Sequence, residues 1–225
     1  MTTTRAKGSI LALLVLMAVI GLVLGAPAVG HADTVPSAQL PVVIISAGQS
    51  AGIFVANALA DRVKLPYDWS DVPTAKHIAS GSGLAGIVEG PGVHVGRKAG
   101  VPDGTPYKTV IFVIGASLKG MGASGLSLND EVNRLREIIK YCQDNKVFMV
   151  GMHVEGKALR GKPGSDNEVV IDAVAPFCNY LIVTTSSNHD DKFTDIGKAK
   201  NIPVSVVSKT TDIAAIFQTM FGLTK

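Results

Sequence analysis

Five short apolar runs recur along the chain, at Pro41 to Ser46, Thr109 to Gly115, Lys146 to His153, Tyr180 to Thr185 and Pro203 to Ser208. Each is rich in Val and Ile, bounded by turn-forming residues, and nearly continuous rather than alternating in polarity. Alternation marks a strand with one wet face, whereas continuity marks a strand covered on both, as in a parallel sheet between helices. Helical spacing fills the intervals. Ile53, Ala56, Leu59, Ala60 and Val63 share one stripe, and Val132, Leu135, Ile138, Ile139 and Cys142 share another, behind a Ser127/Asp130 capping box and ahead of Asn145 as a stop. Further helices are expected from Asn167 to Ala175, ending at Pro176, and from Lys192 to Lys200, ahead of Pro203. A last one carries Ile213, Ile216, Phe217 and Met220 and ends at Gly222. Strand and helix alternate throughout. The expected fold is therefore α/β: a three-layer, doubly wound, mostly parallel sheet of five or six strands, flavodoxin-like or Rossmann-like.

A sixth strand is expected at an edge, from Leu65 to Trp69. After it, residues 72–106 read as irregular, because glycine is dense from Ser80 to Gly104 and disfavours regular structure. His77 and His94 fall in this stretch without metal-ligand spacing and read as surface histidines.

The N-terminus has the order of a secretory signal: Arg5 and Lys7, an apolar run from Ile10 to Leu24, then Gly30-His31-Ala32 as a small-residue cleavage site. The apolar run is about 15 residues, short of the roughly 20 that span a bilayer. Cleavage is expected after Ala32, leaving a linker at 33–40 and one domain at 41–225, in the periplasm or outside the cell. Losing Arg5 and Lys7 takes the formal charge from +3 to +1. A near-neutral chain has no electrostatic footprint for nucleic acid, and no later run is long enough to cross a membrane. Export permits a disulfide between Cys142 and Cys178, but a domain of this size needs no staple, and both read as buried thiols.

In an open parallel sheet the loops leaving the carboxyl ends of the strands share one edge, and ligands bind where the strand order reverses. Polar residues concentrate in those loops. The first contributes Ser46, Gln49 and Ser50. The second, Gly115-Ala-Ser-Leu-Lys-Gly-Met-Gly-Ala-Ser-Gly-Leu-Ser127, contributes Ser117 and Lys119; its glycines let backbone N–H groups turn inward beside a helix start, which favours an anion. The third, His153 to Ser165, contributes His153, Glu155 and Arg160, whose guanidinium could grip a carboxylate or phosphate through two parallel bonds. Together these predict a site for a small, polar, anionic ligand. No metal-ligand spacing is present.

Gly48-Gln49-Ser50-Ala51-Gly52 has the GxSxG spacing of a nucleophile elbow. A hydrolase reading would use Ser50 as nucleophile with His153 or His189 as base and Asp190 or Glu155 as orienter, or His153 and Glu155 as acid and base. The elbow of α/β-hydrolases follows several strands, whereas this one follows the first, so Ser50 also reads simply as a polar cap for the next helix. A third reading is an interaction module that docks the segment from Ser80 to Gly104 on another exported protein.

Ser46-Ala47-Gly48-Gln49-Ser50, the stretch Gly115 to Gly125, and Gly151-Met-His-Val-Glu-Gly-Lys-Ala-Leu-Arg-Gly161 resemble a family of exported bacterial domains of unknown function. The resemblance covers most of the chain after the signal and does not extend to a second glycine at Gly52. It implies an α/β domain and export, and brings no reaction. No motif identifies a cofactor; flavin would follow from fold analogy alone.

Overall fold

The computed structural model describes residues 34–223; the expected signal at 1–32 lies outside them. Seven strands form one sheet: β1 (Val42–Ala47), β2 (Tyr67–Ser70), β3 (Val95–Lys98), β4 (Thr109–Ile114), β5 (Phe148–His153), β6 (Tyr180–Thr184) and β7 (Val204–Val207). Their order is β3-β2-β1-β4-β5-β6-β7. All neighbours are parallel except β3, which runs antiparallel to β2. Setting β3 aside, the parallel strands in chain order lie 2-1-3-4-5-6, an arrangement compatible with the flavodoxin- and Rossmann-like class. The chain moves outward from β1 to β2 and then returns to β4 on the other side of β1. The loops leaving β1 and β4 therefore diverge at the point where the order reverses.

Among the described residues seven α-helices accompany the strands: α1 (Gly52–Arg62), α2 (Ala75–Ala79), α3 (Leu118–Ala123), α4 (Leu128–Asp144), α5 (Asp166–Val174), α6 (Lys192–Lys200) and α7 (Ile213–Phe221). The near-continuous apolar strands are explained by two buried clusters. Val43, Ile45, Val110, Phe112 and Ile114 face one with α4, α5 and α6, while Val42, Ile44, Ile111 and Val113 face the other with α1 and α7. Each fully buried Val, Ile or Phe contributes about 1.5–3 kcal/mol, so burial of alternate residues on both faces dominates the stability. Residues 34–40 also join the α1/α7 side, where Val35 and Ala38 pack and the Ala38 N–H reaches the Met220 carbonyl at 2.8 Å.

The expected helix limits match well. α4 begins at the Ser127/Asp130 capping box, α6 spans Lys192–Lys200, and Gly222 ends α7 in the left-handed conformation. Both cysteines are free and buried. Among the described residues no helix is long and apolar enough to cross a membrane.

Three expectations are corrected. The sheet has seven strands rather than five or six, because β3 adds an antiparallel strand outside β2. The strand expected at an edge is internal, because β3 pairs outside it. The stretch 72–106 is not irregular throughout, since it contains α2 and β3 and is tied to the sheet by one buried carboxylate. Asp68, on β2, accepts the backbone N–H groups of Gly83 and Lys98 at 2.8 Å, that of Ala99 at 3.0 Å, and the Tyr107 hydroxyl at 2.5 Å. Glycine is needed at Gly83, where φ is +83° and a Cβ would come within 2.5 Å of Asp103.

Candidate functional site

The carboxyl ends of β1 and β4 meet through glycine backbones. Gly48 has φ +104°, and a Cβ there would stand 2.4 Å from the Gly115 carbonyl oxygen. Gln49 follows in the left-handed conformation at φ 63°, which costs energy for a residue with a side chain. The surroundings hold it there. The Gly48 N–H donates to Glu131 Oε1 at 2.7 Å, and Gln49 Nε2 donates to the Asp71 carbonyl at 2.7 Å. Glu131 is itself gripped by Arg134, with bonds of 2.8 and 2.6 Å. Arg134 also binds the Ser46 and Pro73 carbonyls, at 2.9 and 2.7 Å. A buried ion pair on α4 thus sets the backbone of the first loop and ties it to the end of β2.

Ser50 and Glu155 come together on the other side of that loop. Ser50 is 3% exposed, and neither its Oγ nor Glu155 Oε2 has a hydrogen-bond partner although both atoms are buried. A Cβ on Gly115 would lie 2.8 Å from each of these oxygens, so they stand within twice that distance of one another. Glu155 Oε2 also lies 3.1 Å from where a Cβ of Gly52, the first residue of α1, would be. Ser46 is fully buried and its hydroxyl is a third unpartnered oxygen. Buried polar oxygens normally find partners, because leaving one unpaired costs about 1–3 kcal/mol. Their grouping at the reversal of strand order is the most unusual polar feature of this edge.

Besides Gln49, whose amide is held by the Asp71 carbonyl, three expected residues are engaged within the protein instead. His153 is fully buried: Nδ1 pairs with Ser187 Oγ at 2.8 Å, Nε2 with the Leu159 carbonyl at 3.2 Å, and the ring lies against Phe193. Burial holds its pKa down at about 4, so the ring stays neutral. Arg160 does grip carboxylates through paired bonds, as its chemistry suggested, but they are the protein's own. Its Nε and Nη2 reach Glu168 at 2.7 and 3.3 Å, Nη1 and Nη2 reach Asp190 at 2.9 and 2.8 Å, and Nη1 also reaches the Ser187 carbonyl. All five N–H groups are committed, and none is left for a ligand. Ser117 is consumed as the cap of α3, accepting the Gly120 N–H at 3.0 Å.

Lys119 is exposed on α3. The second loop is therefore not an open cradle of amides: half of it is this short helix, pressed so tightly on the first loop that a Cβ on Gly120 would stand 2.3 Å from the Gln49 carbonyl oxygen. The elbow reading with His153 as base is not assembled either. The left-handed residues are Gly48 and Gln49 rather than Ser50, and both His153 nitrogens are taken elsewhere. Glu131, Arg134 and Asp71 were not anticipated as parts of this edge. Glu131 carried a sequence signal, since it sits four residues before Leu135 on the apolar stripe of α4.

The family described as a domain of unknown function, DUF6305, matches residues 39–221, and the chain belongs to it. No curated protein and no solved structure matches the chain.

Proposed function

We propose that this member of a family of unknown function is an exported, three-layer α/β domain. In this reading it binds a small polar ligand at the carboxyl edge of its sheet, between Ser50 and Glu155. The observation that carries the reading is the pair of buried, unpartnered oxygens on either side of Gly115. Glycine at 115 keeps a side chain out of the space beside both oxygens.

The sign of the ligand differs from the sequence expectation. The start of α1 favours an anion by about 0.3–1 kcal/mol, up to about 2 in partly buried settings. A negative group about 4 Å from the Glu155 carboxylate would be opposed by about 4 kcal/mol at an effective dielectric of 20. With Arg160 fully committed, repulsion wins. The favoured ligand group is a donor, such as an ammonium, amide or hydroxyl, that can give one hydrogen bond to Glu155 and another to Ser50.

Native mass spectrometry of the protein purified from its own host tests this. A noncovalent adduct is expected on the wild type, and it should be lost in Glu155→Gln and in Gly115→Ala, whose methyl would fill the approach while keeping both oxygens. A bare wild-type protein, or an adduct equally present in both variants, would count against the reading.

A further inference from the structure

His94 read as an ordinary surface histidine, and its setting is more specific than that. It follows Asp71 across the end of the β2–β3 ladder, one step beyond the Ser70/Val95 pair. One carboxylate takes two groups of the same residue: the His94 backbone N–H donates to Asp71 Oδ1 at 2.7 Å, and ring Nδ1 lies 2.6 Å from Oδ2. The Asp71 side chain is 12% exposed and that of His94 is 55% exposed. An ionised carboxylate can only accept, so Nδ1 carries the proton and Nε2 is left as the basic atom on a ring that water and solutes can reach. The backbone bond already closes the ladder, and the His94 ring is open to solvent that screens its pairing with the buried Asp71, so fixing the ring adds little to folding. The dyad is also tied to the first loop, since Gln49 holds the Asp71 carbonyl.

We propose that His94 is a general base, with Asp71 as its positioning residue, for the attack of water on an electrophilic carbonyl, an acyl ester being the substrate class. As the water oxygen bonds to the carbonyl carbon, its proton passes to Nε2. As the carbon–oxygen bond to the leaving group breaks, Nε2–H returns that proton to the departing alkoxide. Asp71 stays ionised and stabilises the transient imidazolium. The proposal does not depend on a ligand at Ser50 and Glu155, so the two can fail separately.

The test is hydrolysis of p-nitrophenyl acetate by the purified protein, with a ¹⁵N spectrum of the His94 ring. The wild type should exceed the same concentration of free imidazole and show the proton on Nδ1. His94→Gln should lose about 100-fold, reaching background. Asp71→Asn keeps an acceptor for the His94 amide, so the ladder survives, but its amide can donate to Nδ1. It should move the ring proton to Nε2 and slow hydrolysis by about 10-fold. Wild-type hydrolysis no faster than imidazole, a His94→Gln variant as fast as wild type, or a wild-type ring protonated on Nε2 would each overturn the proposal.

Discussion

Replacing Arg134 with alanine is expected to destabilise the domain by about 3–5 kcal/mol, a large share of the stability of a single domain. Glu131 has no exposed surface, and only the Gly48 N–H and two 3.4 Å contacts from Gln49 would remain to compensate its burial. The loss also reaches the first loop. Arg134 bonds to the carbonyls of Ser46 and Pro73, so amide exchange at Gly48 to Ser50 should speed up in the variant even under conditions where the sheet stays folded. Urea denaturation reads the first effect. The double replacement Glu131→Leu with Arg134→Met should recover part of the loss, because no charge is then left buried, though the Gly48 N–H loses its acceptor. If Arg134→Ala costs no more than an exposed pair, about 1 kcal/mol or less, the ion pair does not hold this loop.

Acid should destabilise the protein in two stages, the first set by His153. The unfolded ring binds its proton near pH 6.5 and the folded one only near pH 4, because burial disfavours the charged form. Through that window the unfolded state holds more protons, so stability falls with pH, by about 3 kcal/mol between pH 7 and 4. Below it the carboxylates take over. Burial raises Glu168, but the bonds from Arg160 and Lys192 outweigh it and hold the group near 2. The bonds from Arg160 hold Asp190 near 2 as well. Both contribute stability that is present above the normal carboxylate range and is lost as pH falls towards 2. His153→Gln should flatten the dependence between pH 6.5 and 4 and leave the steeper loss below it. A variant that retains the full slope in the upper window would assign the effect to another group.

The fold was legible where burial is symmetrical and local chemistry is strong. The runs that became β1, β4, β5, β6 and β7 are apolar on both faces, and α4, α6 and α7 carry their own start or stop signals. β3 was not legible. Val95-Gly-Arg-Lys has neither alternation nor apolar density, and its pairing depends on Asp68 collecting backbone amides from distant turns. An acceptor whose partners are main-chain groups leaves no trace in side-chain patterning. α3 was hidden for a related reason, since Gly120 and Gly122 are poor helix formers and the helix exists through its Ser117 cap and its contact with Gln49.

The candidate site was legible in place but not in detail. The rule for parallel sheets pointed to loops that lie along one edge, with Ser50 and Glu155 among their residues. It could not say which polar groups would be used up. Arg160 and its partner Glu168 lie eight residues apart, and Asp190 comes from the loop after β6, so the saturation of the guanidinium emerges only when three segments meet. The charge of the proposed ligand turns on that one point.

A high-resolution crystal structure of the protein isolated from its host tests the central claim most directly. The account predicts density for a non-protein group beside Gly115, within hydrogen-bond distance of both Ser50 Oγ and Glu155 Oε2. A Glu155 side chain turned out into solvent, with Ser50 bonded to the protein's own backbone, would contradict it.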